Sequence, residues 1–342
     1  MRSLSMQTAI AINGFGRVGR CLLRALIETG RDKDFRLVAI NELADAETIR
    51  YLTQYDSTHG RFRGQVELES ETLRVNGQPI QLLHHKSIKD LHWDELGVDL
   101  VLECTGSFSD RKTAEQHLQS GAKKVLFSQP ADIHVDSTIV MGVNESLLQA
   151  SHQIVSAASC TTNAVVPVLQ ILQSGFGIES AVVRTIHAAM HDQPVIDAYH
   201  HTDLRKTRAA FESLIPVETQ LAKGISRILP ELDGKVEAKA IRVPVSDVSA
   251  IDLTVMLKSD VTVEELNSML EQQAAEKYKG LLDFTHEPLA SCDFVHDPHS
   301  GIIDAGQTTV AGGRLAKVLI WFDNEWGYAN RMLDVAVCWL GK

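Results

Sequence analysis

Cys160 lies in the stretch Ser159-Cys160-Thr161-Thr162-Asn163-Ala164-Val165-Val166-Pro167, near the middle of the 342 residues. A thiol is a nucleophile only as its thiolate, and a free cysteine is only slightly ionised at neutral pH. Gln153–Ser156 reads as a short buried strand, and residues 164–173 carry apolar side chains at helical spacing. The cysteine therefore falls where a strand hands over to a helix. Unpartnered amide N–H groups and the helix dipole at that point are expected to ease ionisation of the thiol. Small hydroxyl neighbours leave room for a substrate and can cap the helix. The competing reading is an inert buried cysteine beside an ordinary N-cap.

A second chemical stretch opens the chain. Thr8-Ala9-Ile10-Ala11-Ile12-Asn13 is a β-branched apolar run, followed by Gly14-Phe15-Gly16-Arg17-Val18-Gly19-Arg20 and then by an amphipathic helix that Gly30 stops. Strand, GxGxxG and helix is the order that binds a dinucleotide. Gly14 permits the tight turn, Gly16 lets backbone amides approach a pyrophosphate, and Gly19 lets helix pack on strand. The next strand, Phe35–Ile40, ends in Asn41-Glu42. A carboxylate there can accept hydrogen bonds from ribose hydroxyls and would repel a 2′-phosphate, which favours NAD over NADP. The competing reading of Glu42 is a solvated carboxylate at a strand end.

The elements that must position these groups alternate as a doubly wound sheet requires. Residues 64–85 alternate in polarity around the Asn76-Gly77 turn and read as an antiparallel meander on a sheet edge. Asp99–Gly106, Lys124–Ser128 and Thr138–Met141 read as further parallel strands. Ligands of such sheets sit at the carboxyl ends of strands, where Asn13, Glu42, Thr105, Ser128 and Cys160 would collect. Beyond Cys160 the pattern changes to long half-alternating strands at 180–187, 238–243, 249–256 and 316–322, with helices at 263–274 and at the end of the chain. We expect an α/β protein in which a Rossmann doubly wound sheet is joined to an α+β domain with a mostly antiparallel sheet. The length itself suggests two domains.

Composition narrows the function. Five scattered cysteines show no CxxC pair and no zinc spacing, so we expect reduced thiols and no metal site. Lys plus Arg 33 against Asp plus Glu 44 gives −11, the wrong sign for a general nucleic-acid surface. No apolar run is long enough to span a bilayer, and the opening Met1–Met6 is too short and polar for a signal peptide. The expectation is a cytoplasmic protein with neither membrane nor nucleic-acid partner. An anionic substrate would need local cations. Arg205-Lys206-Thr207-Arg208 in a long loop is either such a site or a solvated basic turn, and Arg242, on an expected strand, needs an anionic partner if buried.

Asn13–Arg20, Ser159–Asn163, Ile186-His187 and Trp321-Phe322-Asp323-Asn324-Glu325-Trp326-Gly327-Tyr328 together resemble the phosphorylated-aldehyde dehydrogenases typified by glyceraldehyde-3-phosphate dehydrogenase. The likeness covers nearly the whole chain. It implies a homotetramer in which residues 1–159 and 324–342 form an NAD-binding Rossmann domain and 160–323 a catalytic domain. It implies Cys160 as nucleophile and His187 as its base. Gly14, Phe15, Gly16, Arg17, Val18, Gly19, Glu42, Lys86, Thr105, Ser128, Asn324 and Tyr328 would lie toward NAD, Arg17 and Val18 on its phosphates and Asn324 on the nicotinamide amide. Ser159, Thr161, Arg205, Lys206, Thr219, Gln220 and Arg242 would lie toward the substrate.

The chain also departs from the glyceraldehyde-3-phosphate pattern. Met190 stands where a phosphate-binding threonine is usual, Gln220 follows Thr219 where glycine is usual, Lys206 replaces an arginine, and Ala164 replaces a frequent second cysteine. The run Met190-His191-Asp192-Gln193-Pro194-Val195-Ile196-Asp197-Ala198-Tyr199-His200 resembles instead the branch that oxidises D-erythrose 4-phosphate to 4-phospho-D-erythronate on the way to pyridoxal phosphate. One added carbon moves the phosphate roughly 1 Å from the aldehyde, enough to spoil alignment in a site built for the shorter sugar. The resemblance implies a Cys160 thioester released by water. The alternatives are the phosphorylating three-carbon enzyme and a regulator that keeps the fold without turnover; intact Cys160, His187, Asn324 and glycine loop argue against the latter.

Overall fold

The computed structural model describes residues 7–200 and 203–341, so the Met1–Met6 reading lies outside the described residues. The chain forms two compact units. One holds the chain up to Ile139, Glu145–Ser159 and the chain from Ala329; the other holds Val140–Asn144 and Cys160–Tyr328. The border expected at 323/324 therefore falls after Tyr328.

The first unit is built from β1 (Thr8–Asn13), α1 (Arg17–Glu28), β2 (Phe35–Asn41), α2 (Ala46–Gln54), the short pair β3 (Tyr55–Asp56) and β4 (Gly60–Arg61), the meander β5 (Val66–Glu69), β6 (Thr72–Val75) and β7 (Gln78–Leu83), then β8 (Leu100–Glu103), α3 (Arg111–Gln119), β9 (Lys124–Phe127), β10 (Ser137–Thr138) and β11 (Ile154–Ser156). Its sheet runs β10-β11-β9-β8-β1-β2-β7-β6-β5, parallel as far as β7 and antiparallel through the meander. β1 and β8 are apolar almost throughout because both faces of a parallel sheet are covered. The chain leaves β1 toward β2 on one side and returns to β8 on the other. That reversal opens a crevice at the carboxyl ends of β1 and β8, where Gly14 and Thr105 lie. The strand expected at 138–141 shrinks to β10, since Val140–Asn144 belongs to the other unit.

The second unit holds α4 (Cys160–Gly175), β12 (Ile178–Ala188), β13 (Ile215–Val217), α5 (Leu221–Ile228), β14 (Val236–Val243), β15 (Ser249–Leu257), α6 (Val263–Ala275), β16 (Leu282–Thr285), β17 (Gly301–Ala311) and β18 (Leu315–Phe322), and α7 (Trp326–Leu340) begins in it. Its sheet order is β13-β14-β12-β15-β18-β17-β16. Most neighbours are antiparallel, as expected, but β12–β14 and β16–β17 are parallel, so the sheet is mixed. α4 is buried over most of its length and packs on this sheet. A Cβ on Gly301 would come within 2.8 Å of Ile320 and 3.3 Å of the Ala164 carbonyl, so β17 approaches α4 closely at the small residue Ala164. α6 starts with a reciprocal capping box: Thr262 Oγ1 accepts the Glu265 N–H, and the Glu265 carboxylate accepts the Thr262 N–H.

Candidate active site

α4 begins at Cys160 itself, four residues before the apolar periodicity does, because Thr161, Thr162 and Asn163 are buried in the packed first turn. Two residues earlier Ala158 has φ +58, a left-handed conformation that costs a residue with a Cβ about 1 kcal/mol or more. That strained turn delivers the cysteine to the helix start. His187 lies one residue from the end of β12, and its Nε2 is 3.8 Å from Cys160 Sγ. The Thr161 hydroxyl oxygen lies 3.9 Å from the same sulfur.

The neighbours of the imidazole assign its proton. His187 Nδ1 is 2.8 Å from the Ala188 carbonyl oxygen, which only accepts, so Nδ1 carries the hydrogen and Nε2 turns its lone pair toward the sulfur. Burial pushes the His187 pKa down to about 4, and the charge of Arg242 acts in the same direction. The same burial pushes the Cys160 thiol up to about 11 against the Thr161 hydroxyl, the N–H groups of Thr161 and Cys160, and Arg242. Part of Cys160 stays open to solvent, yet protein surrounds its sulfur. The expected ease of ionisation from the helix terminus is therefore outweighed by desolvation. At neutral pH the pair is a thiol beside an unprotonated base, an arrangement able to pass the thiol proton to Nε2 as an electrophile arrives.

Beside this pair lies a charged cluster. Arg242 on β14 is in register with His187 on the neighbouring strand and is buried to 9% exposure. Its Nη1 donates to Asp192 Oδ1 at 2.8 Å and to Gln193 Oε1 at 3.0 Å. The other carboxylate oxygen of Asp192 accepts from Lys206 Nζ at 2.8 Å. Partial burial alone would raise the Asp192 pKa, but Lys206 and Arg242 hold it down at about 2. Lys206 is thus part of the cluster, whereas Arg208 pairs with Asp197 in the open and Arg205 is exposed. Thr219 Oγ1 accepts the Leu221 N–H at the start of α5, Gln220 is exposed, and Thr161 is buried. Met190 is 46% exposed, and its N–H donates to Gln193 Oε1.

In the first unit the glycine loop meets each demand made of it. A Cβ on Gly14 would lie 2.6 Å from the Thr105 nitrogen, and one on Gly19 would lie 2.4 Å from the Gly14 carbonyl oxygen. One on Gly16 meets nothing within 4 Å. The first and third glycines are required by the fold, while the second borders open space at the start of α1, whose first turn carries no acidic residue. This is a cradle for a pyrophosphate. Residues 8–111 match the family model described as glyceraldehyde 3-phosphate dehydrogenase, NAD binding domain, and residues 159–324 match that of the C-terminal domain. The chain belongs to the glyceraldehyde 3-phosphate dehydrogenase family. It is an NAD-dependent oxidoreductase acting on a sugar phosphate.

The remaining residues expected toward NAD are held by their near neighbours. Glu42 is engaged: its carboxylate accepts the N–H groups of Phe15 at 2.8 Å and Leu43 at 2.7 Å, which ties the end of β2 to the glycine loop. Arg17 forms an ion pair with Asp56, whose carboxyl group is held well below the usual range by the His59 N–H and Arg17 although burial opposes this. Thr105 donates through its N–H and its hydroxyl to Glu103, and Ser128 donates its N–H to the Glu103 carbonyl. Lys86 is exposed and Tyr328 buried. In the second unit, Asp323 Oδ1 accepts the N–H groups of Glu325 and Trp326 and so shapes the turn that carries Asn324.

Two groups escaped the sequence reading. Ser249, 1% exposed at the start of β15, donates to Asn324 Oδ1 at 2.6 Å and accepts the Ala188 N–H at 3.0 Å, joining the residue after His187 to the Asn324 amide. Asp192 and Gln193 lie in a run the sequence had singled out, but their partner Arg242 is about fifty residues away in the chain. Only the alternation of β15, which turns the small polar Ser249 inward, hinted at the first.

Proposed function

We propose that this member of the family is a D-erythrose-4-phosphate dehydrogenase, with Cys160 as nucleophile and His187 as base. The observation that supports it best is at Met190. The side chain at the usual threonine position offers no hydrogen bond, and the groups that reach Arg242 come from Asp192 and Gln193, one turn further along the same loop. A phosphate held at Arg242 and Lys206 without a donor at position 190 suits a longer sugar.

In this reading the Cys160 proton passes to His187 Nε2 as sulfur adds to the C1 aldehyde, and the new oxyanion, near the Cys160 N–H, takes that proton from Nε2 to give a hemithioacetal and a neutral imidazole. His187 then withdraws the hydroxyl proton while C1 loses its hydride, leaving a thioester on Cys160. NAD, when bound, supplies the hydride acceptor, and the glycine loop and Glu42 of the first unit are residues that would hold it. His187 gives up the hydroxyl proton to solvent and then deprotonates a water that attacks the thioester; the departing Cys160 sulfur takes the proton back from Nε2, releasing 4-phospho-D-erythronate and restoring the thiol. The product would feed pyridoxal phosphate synthesis in the cytoplasm. A homotetramer fits the loop after β12, whose Ile196 and Tyr199 are 77% and 103% exposed in a single chain.

The test is NADH formation with D-erythrose 4-phosphate and with D-glyceraldehyde 3-phosphate, each with and without inorganic phosphate. Faster turnover of the four-carbon sugar without added phosphate supports the proposal. A phosphate-dependent preference for the three-carbon sugar identifies a phosphorylating enzyme instead.

A further inference from the structure

Asp192 lies across both cations assigned above to the substrate phosphate. One carboxylate oxygen is 2.8 Å from Arg242 Nη1, and the other is 2.8 Å from Lys206 Nζ. Its side chain is 40% exposed, while that of Arg242 is 11% exposed. Buried Arg242 needs an anion beside it, and a half-exposed carboxylate can be exchanged for another anion at little loss, because ion pairs open to water are weak. A second feature points to a ligand. Gln193 Oε1 is used twice, by Arg242 Nη1 and the Met190 N–H, but its buried Nε2 has no hydrogen-bond partner among the described residues. A buried donor left unused is costly, and a phosphate oxygen arriving at Arg242 would relieve it.

We propose that Asp192 is a specificity-determining residue: a built-in anion on the phosphate cations that a sugar phosphate displaces and that keeps free inorganic phosphate out, with Gln193 Nε2 as a further donor to the incoming phosphate. The proposal rests on the assignment of Arg242 and Lys206 to the substrate phosphate. With Asp192 in place the two cations present a net charge of +1; without it they present +2. A sugar phosphate has its aldehyde captured by Cys160 as well, so it tolerates the competition. Inorganic phosphate has no such second anchor. The design works by penalising the wrong anion rather than by improving contacts to the right one.

The decisive experiment compares wild type with Asp192→Asn, which keeps the shape and removes the charge. Inorganic phosphate is titrated calorimetrically into each enzyme, and KM for the sugar phosphate is measured alongside thermal melting. We expect Asp192→Asn to bind inorganic phosphate roughly tenfold to a hundredfold more tightly, the effect of removing one like charge a few ångströms away. KM for the sugar phosphate should fall, and phosphate should become a competitive inhibitor. Unchanged or weaker phosphate binding overturns the proposal, since weaker binding would mean that Asp192 only props the two cations. Asp192→Ser serves as a second variant should the asparagine melt early. Arg242→Ala separates the two levels. If it leaves KM for the sugar phosphate unchanged, the phosphate assignment is wrong; if it raises KM while Asp192→Asn changes nothing, only the role of Asp192 falls.

Discussion

Replacing His187 by asparagine gives the sharpest test of the thiol–imidazole arrangement. The substitution removes the Nε2 acceptor that lies 3.8 Å from Cys160 Sγ but leaves an amide of similar reach toward the Ala188 carbonyl. Because burial places the thiol near 11 and the imidazole near 4, neither group ionises alone at neutral pH, and the proton must pass between them as the carbon–sulfur bond forms. Loss of a positioned base lowers such a step by about 10²- to 10⁴-fold, equivalent to roughly 3–5 kcal/mol of barrier. The assay is single-turnover NADH formation, so that product release does not mask chemistry, together with iodoacetamide alkylation of Cys160 at pH 7. Both rates should fall in the variant while NAD affinity, set in the other unit by the glycine loop, stays within about twofold. A loss of less than tenfold in both rates would show that another group accepts the thiol proton and would refute the reasoning.

Other outcomes follow from the geometry. Gly16→Ala should melt close to wild type, because its Cβ meets nothing and φ is −72, yet bind NAD at least tenfold more weakly by calorimetry; Gly19→Ala should fold poorly, its Cβ lying 2.4 Å from a carbonyl oxygen. Ser249→Ala should lose about 1–2 kcal/mol of stability in urea melts, since Asn324 Oδ1 loses its donor and the buried Ala188 N–H its acceptor. Asp247 is buried with Asp323 and Glu325 nearby, and burial first, then their charges, raise its pKa far above the ordinary value near 4. The folded state thus holds a proton that the unfolded chain gives up, so stability present at acid pH is lost as pH rises through neutrality; melting temperatures from pH 5 to pH 8.5 should fall more steeply for wild type than for Asp247→Asn.

Much of the first unit was legible because its signals are local. β1 and β2 are short apolar runs, and the glycines of the loop obey the steric needs of their own turn. β17 went unread because Gly301 and Gly306 look like turn residues; Gly301 is instead a strand position pressed against Ile320 and α4, and the strand is irregular between Asp304 and Thr309. The parallel pairing of β12 with β14 was also hidden, since alternation reveals which face is buried but not which way a neighbour runs. At the site, the handover from strand to helix at Cys160 could be inferred from spacing. Desolvation of the sulfur could not, because it depends on what the folded chain stacks around it. The bridge from Asp192 to Arg242 was invisible for the same reason.

The return of α7 to the first unit has a consequence for how the protein is made. Within that unit Arg31 forms an ion pair with Asp334 and donates to Asn330 Oδ1, and Trp339 Nε1 donates to the Gln149 carbonyl. A ribosome completes every strand of the second unit before it reaches Asp334. The unit begun first is therefore finished last, and its earlier segments must wait on the nascent chain with Arg31 and Gln149 unpaired by α7. A frameshift or stop within residues 329–341 would leave the thiol–imidazole unit fully synthesised and maim the unit that binds NAD.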